Sequence, residues 1–553
     1  MATVTLAVPR TEVRRWFTLA IVLGGTFMAF FDAFVVNVAV PTVQRDLRAS
    51  FAEVQFVIAG YGLAYAVTLI TGGRLGDIYG RKRLFLLGLA AFTACSALCG
   101  LAPTAALLVA ARVAQGLAAA LMAPQVLSVI QVTFPPAERS RALGVYGAVF
   151  GFAATAGQVL GGLIVRADLF GLTWRPVFLV NVPIGLATFA AAASLLAESR
   201  SATAPRLDLG GVGLLTLGLG LLAFPLIEGR NAGWPAWAPL GLLAAGPVLA
   251  AFVAFERRET RRGGAPLVVL RLFRQRPFAV GLATFLMSNA AGSGFMFTVA
   301  LHLQFGLRFS PFAAGLVIGP AAVGYFIAAT LSVRLAPRLG ARLVVWGIAL
   351  AIGVWVATIA VVVLYRESLP GPLLALVLFG AGFGNGLASP PLAAVVLAGV
   401  GRDDAGSASG MLVTAQQIGG ALGVALIGVV LFGVLAGQAA RVGADLAPEF
   451  GRQLAAAGLP ADAVAPTIAD FRDCAADRAA TRDPAVVPAS CRRPTLQPTT
   501  SPVAATVATF LQRANARDYA TASAASYLAT LGFQFVSLLG AVSLCVPRRA
   551  AGG

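Results

Sequence analysis

The sequence has little charge, and the charge it has is biased in type. Only 12% of its 553 residues are charged, while 58% are apolar and the mean hydropathy is +0.84. There is one histidine, and Lys82 is the only lysine beside forty arginines. A soluble chain of this length would need a much larger charged fraction to cover its surface. The composition excludes an ordinary soluble protein and indicates an all-α polytopic membrane protein.

Several motifs that carry chemistry are missing. The chain has no Walker phosphate-binding loop, no paired carboxylates, no evident nucleophile and no Cys/His cluster at metal spacing. We therefore expect no enzyme activity, no ATP-driven step, no metal and no cofactor. The formal net charge of +18 would suggest nucleic acid as a partner, but the basic residues lie in short segments between apolar runs. That distribution argues against nucleic-acid binding.

Fourteen apolar runs are each about 20 residues long, enough to cross a bilayer. They are predicted near residues 17–40, 52–72, 84–103, 106–133, 142–166, 176–197, 208–227, 239–256, 278–306, 311–333, 343–364, 371–398, 406–437 and 521–546. The first run carries Asp32 and has no cleavage signature, so it is interpreted as a retained helix and not as a signal peptide.

Lysine and arginine are distributed as this arrangement requires. With the N-terminus inside, the inner segments hold 24 of them, the short outer loops seven and the long outer loop 438–520 nine. Cytoplasmic loops of membrane proteins are enriched in these residues. The bias predicts that both termini are cytoplasmic.

One polar segment separates the second and third runs. Residues 72–83 place four cations and Asp77 among glycines, between two apolar runs. Glycines permit close backbone approach, and the charges can pair with each other or with helix ends. We predict a loop that acts as a hinge in conformational gating. Its candidate residues are Gly73, Arg74, Gly76, Asp77, Gly80, Arg81 and Arg83.

A weakened copy of this segment indicates an internal repeat. Residues 334–342 repeat the pattern between two later runs, with Pro337 where the first copy has Asp77. Parallel repeats of this kind are typical of transporters, with the substrate site at their interface. We expect an N-terminal six-helix bundle at 1–200, two inserted helices with a linker at 201–277, and a C-terminal six-helix bundle at 278–553.

Four motifs in order resemble the major facilitator superfamily, and specifically its fourteen-helix drug:proton antiporters. They are the 72–83 segment, Phe31 to Pro41, Arg112 to Gly116, and Trp174-Arg175 with Asn181 to Gly185. The resemblance covers nearly all of the chain except residues 438–520. It implies a monomeric, proton-driven exporter of amphiphilic small molecules such as drugs, antibiotics or lipid-like compounds. An importer or facilitator of a metabolite, or a non-transporting scaffold or sensor, are the alternatives.

The fifth helix departs from the antiporter pattern. The family usually has Gly-Pro-x-x-Gly-Gly there, whereas this chain has Gly157-Gln158-Val159-Leu160-Gly161-Gly162. Gly157, Gly161 and Gly162 are retained as candidates for gating, and close helix packing explains them equally well. Without the proline, a kink is not guaranteed.

Ionisable groups inside the hydrocarbon are costly and usually functional. Asp32 lies about eight residues from the outer end of its helix and Arg112 about six, so their depths agree within about 3 Å. We expect the two to meet, with Asp32 carrying the coupling proton and Arg112 tuning it, as the resemblance also implies. The alternative is a fixed ion pair that joins the first and fourth helices.

Amides and aromatic side chains near the midplane are candidates for a substrate cavity. For each of them, hydrogen bonding between helices or ordinary packing is an alternative. Because only Asp32 lies deep in a span, neutral, weakly acidic or lipid-like substrates are favoured over dications. The cavity candidates are Phe30, Phe34, Gln115, Phe285, Asn289, Phe295, Asn385, Gln416 and Gln417.

Three further features lie toward the outer face. His302 is near the outer end of its helix and is a weak candidate for a second proton site, or else a solvated or hydrogen-bonded rim residue. Cys474 and Cys491 both fall in loop 438–520 and are positioned to form a disulfide on the oxidising side. The loop is long enough to need its own structure. It is a candidate lid or surface for an extracytoplasmic partner, or a tolerated insertion.

Overall fold

A computed structural model describes residues 10–49, 51–200, 208–229, 232–262, 264, 266–401, 404–480, 487–497 and 501–545. Within these residues all regular structure is helical. Residues 1–9 and 546–553, which the sequence predicts to be the cytoplasmic termini, lie outside the described ranges, as do residues 201–207 of the predicted linker.

Helices α1 to α7 form the N-terminal half. They are α1 (Arg10–Asp46), α2 (Phe51–Tyr79), α3 (Arg81–Gly100), α4 (Ala105–Thr133), α5 (Pro136–Ala167), α6 (Pro176–Leu179) and α7 (Asn181–Leu195). The last two together make one candidate membrane span, Pro176–Leu195.

Helices α8 to α16 form the remainder. They are α8 (Leu209–Glu228), α9 (Trp237–Arg261), α10 (Arg276–Leu301), α11 (Pro311–Leu339), α12 (Ala341–Tyr365), α13 (Gly371–Leu397), α14 (Ala405–Ala456), α15 (Ala461–Ala480) and α16 (Ser501–Cys545). Among the described residues, fourteen helical segments are long and apolar enough to cross a membrane, as the sequence predicts.

The prediction that residues 72–83 form a loop is wrong. Helix α2 continues to Tyr79 and α3 starts at Arg81, so Gly80 alone connects them. Gly80 has φ 109°, and a Cβ there would lie 2.6 Å from the carboxyl carbon of Glu198. A polar sequence at a membrane surface need not leave the helix, because helical backbone groups stay paired in any solvent. The connection is therefore tighter than the composition of the segment suggests.

The two halves meet near the end of the molecule that carries Asp77, here termed the Asp77 end. Helix α2 packs on α14, and α5 packs on α11. A Cβ on Gly410 would lie 3.1 Å from Ile70 Cα, and one on Gly144 would lie 2.5 Å from Val333 Cγ2. Both contacts are on the side of the bundle that the sequence predicts to be cytoplasmic. The structure is therefore closed between the halves at that end.

Helices α8 and α9 pack against each other, and α8 also contacts α2 and α14. The buried Glu256 of α9 accepts hydrogen bonds from the backbone N–H groups of Leu267 and Val268, at 3.3 and 3.0 Å. This carboxylate anchors the segment that leads into α10. The pair of helices thus lies beside both halves, where a connection between them is expected.

The segment 438–520 is not a loop in its described part. Helix α14 runs for 52 residues and α16 for 45, far beyond the roughly 20 needed to span a bilayer. Their extensions pack with α15 around a separate apolar core that includes Leu446, Phe450, Phe471 and Phe510. We call residues 438–520 the outer subdomain. Apolar residues at helical spacing in an alanine-rich sequence carried this signal, but the span prediction ended each helix at the expected membrane boundary.

Candidate functional site

Asp32 and Arg112 meet inside the N-terminal half. Asp32 lies on α1 and Arg112 on α4, and Arg112 Nη1 donates a hydrogen bond to Asp32 Oδ2. The two side chains are 0% and 1% exposed. An ion pair held this far from water requires further hydrogen bonds, because each ion has lost its hydration. The surrounding groups provide them.

Two amides complete the shell of Asp32. Gln115 Nε2 and Asn181 Nδ2 each donate to Asp32 Oδ1 at 3.0 Å. Gln115 Oε1 accepts from Arg112 Nη1 at 2.7 Å, which closes a ring of three side chains. Gln115 is therefore part of the charged cluster and does not line the substrate cavity, which corrects its predicted place. Its position three residues after Arg112 puts both side chains on one face of α4.

Arg112 is held by α2 as well. Its Nε donates to the carbonyl oxygen of Val57 at 2.9 Å, and its Cζ lies 4.3 Å from the centroid of the Tyr61 ring. Tyr61 in turn donates to the carbonyl oxygen of Ala29 on α1 at 3.1 Å. The guanidinium thus has a carboxylate, a carbonyl, an amide and an aromatic face as partners. The cluster joins α1, α2, α4 and α7.

Asn181 and Tyr61 are functional candidates that the sequence did not single out. Asn181 appears in the motif that opens the sixth span, but nothing in one sequence gives its side chain a role. It is fully buried, and its Nδ2 also donates to Ser96 Oγ at 3.1 Å. Its Oδ1 has no hydrogen-bond partner among the described residues. Its role is visible only in the structure, where its amide is buried against the Asp32 carboxylate.

A small cavity of about 30 Å³ lies between the two halves, at the contact of α5 with α11, α13 and α14. Tyrosine, phenylalanine and amide side chains share its wall. The main lining residues are Leu127, Tyr146, Phe150, Phe285, Tyr325, Pro390 and Gln416. Phe30 and Phe34 reach this wall through Phe150, with ring centroids 4.5 and 6.4 Å from that residue. Phe285 and Gln416 were predicted here, whereas Tyr146, Phe150 and Tyr325 were not.

The other predicted cavity residues lie elsewhere or are engaged locally. The prediction that Phe295 lines the cavity is wrong. Its ring stacks on that of Trp355 inside the C-terminal bundle, with ring centroids 4.6 Å apart. Asn289 and Asn385 donate to the carbonyl oxygens four residues earlier on their own helices, at 2.7 and 3.1 Å. Gln417 is half-buried beside Gln416. A sequence gives the depth of such residues but not the direction in which they point.

The gating candidates form a second polar cluster at the Asp77 end. Asp77 is fully buried and accepts from Arg81 Nη2 at 2.7 Å, one helical turn away across Gly80. A Cβ on Gly76 would lie 2.0 Å from Gln125 Oε1, so a larger residue there would require the Gln125 side chain to move. Gly73 and Arg74 are buried. Arg83 is exposed, and its backbone N–H donates to Glu198 at 3.2 Å.

The glycines of α5 are packing positions. A Cβ on Gly157 would lie 2.9 Å from the carbonyl oxygen of Phe31, and one on Gly161 would lie 2.7 Å from Val35 Cγ2. Gly162 is half-buried. Helix α5 therefore lies directly against α1 next to Asp32. Helix α5 also forms one wall of the cavity.

His302 is buried, only 1% exposed, so the solvated-rim interpretation is wrong. Its Nδ1 lies 3.1 Å from Ser523 Oγ on α16. It begins a π-helical turn, residues His302–Gly306, at the outer end of α10. The residue is on the C-terminal half and takes no part in the hydrogen bonds of the Asp32 cluster.

Cys474 and Cys491 are joined by a disulfide in the outer subdomain. The bond ties α15 to the short helical turn Ala489–Arg492. Nearby, Asp470 accepts hydrogen bonds from Thr495 and Arg493, and these lower the pKa of its carboxyl below the ordinary value. A disulfide and a charged cluster thus fix the same segment to α15.

Comparison with known proteins agrees with this architecture. The family model of the Major Facilitator Superfamily matches residues 22–424. The chain is 41% identical over 525 residues to the "Probable actinorhodin transporter" of Streptomyces coelicolor, covering 94% of this chain and 89% of that protein. It is 36% identical over 440 residues to the "Tetracenomycin C resistance and export protein" of Streptomyces glaucescens, covering 79% of this chain and 78% of that one.

Experimentally determined structures show the same fold. The human organic anion transporter MFSD10 aligns with a TM-score of 0.55 at 16% identity, covering 75% of this chain and 93% of that chain. The proton:xylose symporter XylE aligns with a TM-score of 0.53 at 14% identity, covering 74% and 87%. From its family match and its relatives, this chain belongs to the major facilitator superfamily.

Proposed function

We propose that this protein is a proton-coupled exporter of amphiphilic small molecules that works by alternating access in a bacterial plasma membrane. One observation carries the proposal: a buried Asp32–Arg112 pair lies inside the N-terminal half, on a helix whose Phe30 and Phe34 contact Phe150 in the wall of the cavity between the halves. Relatives named for antibiotic export and resistance support the outward direction. The lysine and arginine distribution supports a cytoplasmic Asp77 end. The proton gradient is the proposed energy source and the monomer the proposed working unit.

Asp32 is the proposed proton carrier. In its ionised form it accepts hydrogen bonds from Arg112, Gln115 and Asn181. Protonation removes the charge that attracts Arg112 and replaces one acceptor position by a donor. Arg112 then keeps its bonds to Val57 and Gln115 but loses its counter-ion. The balance of contacts between α1 and α4 changes, which is the differential interaction that a conformational shift requires.

Asn181 is suited to either protonation state. Its Nδ2 donates a hydrogen bond to the carboxylate, and its Oδ1, which has no partner among the described residues, is available as an acceptor. Rotation of the amide by about 180° would present Oδ1 to a protonated Asp32, which then donates. The same side chain therefore offers Asp32 a donor in one orientation and an acceptor in the other.

Coupling to substrate follows the packing of α1 on α5. Gly157 and Gly161 hold α5 against the backbone next to Asp32, and Phe150 of α5 lines the cavity. Movement of α1 on protonation would displace α5, and with it Phe150 in the cavity wall. The opposite step, opening at the Asp77 end, requires the contacts between α2 and α14 to separate.

The cavity favours neutral or weakly acidic amphiphiles that can pack against aromatic side chains. Its described lining contains phenylalanine, tyrosine and glutamine side chains and no carboxylate. Aromatic faces and a few hydroxyl or amide groups are a usual composition for small-molecule sites. A dication would find no counter-charge in this wall.

The test is an accumulation assay in a bacterial host that lacks its own exporters. Cells with and without the protein are loaded with neutral, anionic, cationic and dicationic dyes and antibiotics, with and without a protonophore. Lower accumulation of neutral or weakly acidic compounds, abolished by the protonophore, supports the proposal. Higher accumulation would indicate import, and an effect that survives the protonophore would contradict proton coupling.

A further inference from the structure

A second pocket lies at the outer end of the C-terminal half, beneath the outer subdomain. It is bounded by the turn after α10 and by α14, α15 and α16. Its lining includes Gln304, Phe305, Arg308, Phe432, Arg478 and Asp518. We call it the outer pocket. It shares no lining residue with the cavity between the halves.

Asp518 is the unusual member of this pocket. It is only 4% exposed, and its Oδ1 has no hydrogen-bond partner among the described residues. Burial of an unpaired carboxylate is costly, so such a group is normally paired or bound to something. The pocket therefore presents a buried acid whose Oδ1 has no partner within the described part of the chain.

The neighbouring arginines of α16 do not neutralise this acid, because they are engaged elsewhere. Arg513 Nη1 lies 2.8 Å from Glu449 Oε1, and its Nε lies 2.7 Å from Glu367 Oε2. Arg517 also pairs with Glu367. Residues 517 and 518 project about 100° apart around a helix, so the two sets of charges occupy different faces.

The pocket wall is fixed by a specific helix distortion. The π-helical turn His302–Gly306 ends α10, and Asn515 Nδ2 donates to the carbonyl oxygen of Gly306 at 3.1 Å and to that of Phe305. A Cβ on Gly306 would lie 2.7 Å from Tyr519 Cβ. Single π turns are rare and frequent at functional sites. The turn sets Phe305 and Gln304 in the wall opposite Asp518.

The lining combines one buried acid, two arginines and apolar surface. Arg308 is exposed and Arg478 half-buried, so the basic groups lie nearer the mouth than Asp518. An ammonium group satisfies a buried carboxylate, and a carboxylate or phosphate satisfies guanidinium groups. We propose that the outer pocket binds a zwitterionic amphiphile, with its amine at Asp518, its acidic group at Arg308 and Arg478, and its apolar body against Phe305 and Phe432.

Binding of three radiolabelled probes of matched length tests this site. They are 8-aminooctanoic acid, octylamine and octanoic acid, each titrated against the full chain in lipid nanodiscs with empty nanodiscs subtracted. We expect saturable binding of 8-aminooctanoic acid at least about tenfold tighter than either singly charged probe, since each charged group adds a charge-assisted hydrogen bond. Absence of saturable binding, or equal binding of the three probes, would overturn the proposal.

Variants locate the site. Asp518→Asn is expected to weaken 8-aminooctanoic acid binding about tenfold or more. Arg478→Gln should weaken the binding of octanoic acid but not the binding of octylamine. Asp462→Asn, an exposed change on α15, is the matched control and should have no effect.

The proposal does not depend on the transport mechanism. Gln416→Leu, in the wall of the central cavity, should leave probe binding unchanged, whereas loss of binding in that variant would place the probe in the central cavity and refute the outer pocket. Probe discrimination by the unmodified chain keeps the test decisive if Asp518→Asn does not fold.

Discussion

Asp77 Oδ2 accepts a hydrogen bond from the backbone N–H of Ser407 at 3.2 Å, across 330 residues of sequence. The donor lies in the first turn of α14, so one buried carboxylate of the N-terminal half faces a helix start of the C-terminal half. The same carboxylate pairs with Arg81. Helix N-termini carry partial positive charge, which favours an anion at this position. Asp77 therefore joins the two halves where they are closed.

The first prediction follows from this contact. Asp77→Asn removes the charge that both Arg81 and the α14 terminus bind, so the closed Asp77 end should lose stability relative to the open one. We expect the transport rate to fall about tenfold, as loss of a charged hydrogen bond of about 1.5 kcal/mol predicts.

Pro337→Ala is the matched variant in the second half. Pro337 is exposed and lies inside α11, with no carboxylate at the corresponding place. We expect transport within about twofold of the parent, because removing a proline from an exposed helix position costs no packing. Equal loss in the two variants would refute asymmetric gating.

The second prediction concerns Asn181. Replacement by Leu removes a donor to Asp32 and the proposed acceptor for its protonated form, so the pH at which transport is half-maximal should shift. Asn289→Leu, whose amide bonds within its own helix, is the control. Transport measured from about pH 5.5 to 8.5 in vesicles checks this. An unchanged profile for Asn181→Leu would show that its amide has only a packing role.

The third prediction concerns His302. Its side chain is buried against Ser523 and far in the chain from the Asp32 cluster, so we expect it to be structural. His302→Gln should reduce stability without altering the pH profile of transport. A shifted profile would restore His302 as a second proton site.

The fourth prediction concerns the outer subdomain. The disulfide closes a loop of sequence separation 17, for which chain entropy predicts about 3 kcal/mol of stabilisation. Cys474→Ser with Cys491→Ser should make the segment between them more sensitive to protease in intact cells, whereas Cys95→Ser, within α3, should not. If transport also falls while membrane insertion stays normal, the subdomain acts on the exit path. Unchanged transport would favour a tolerated extension.

Much of the fold could be predicted from the sequence because bilayer thickness fixes helix length. Fourteen apolar runs specify the membrane-spanning helices, and the family was indicated by four motifs that resemble those of the major facilitator superfamily. The sequence predicted that residues 438–520 have structure of their own, but the extent of α14 and α16 was wrong, since both helices continue through the predicted boundary. Nothing in the length argument marks where a helix leaves the membrane and continues in water.

The site was predictable where depth alone decided the contact. Asp32 and Arg112 lie at matching depths, and the structure brings them together. Depth in the membrane did not predict correctly what Gln115 and Phe295 contact. The direction of a side chain around its helix depends on packing that a single sequence does not show. Asn181 was missed for a related reason: its importance comes from a partner 149 residues away.

We propose that Asp32 carries the coupling proton, and proton-driven uptake into everted vesicles measures this role. The substrate is a compound identified by the accumulation assay, and Asp462→Asn serves as the matched control. We expect Asp32→Asn to abolish uptake driven by an imposed proton gradient while exchange of substrate without a gradient continues. Gradient-driven uptake by Asp32→Asn at the parental rate would show that Asp32 does not carry the proton.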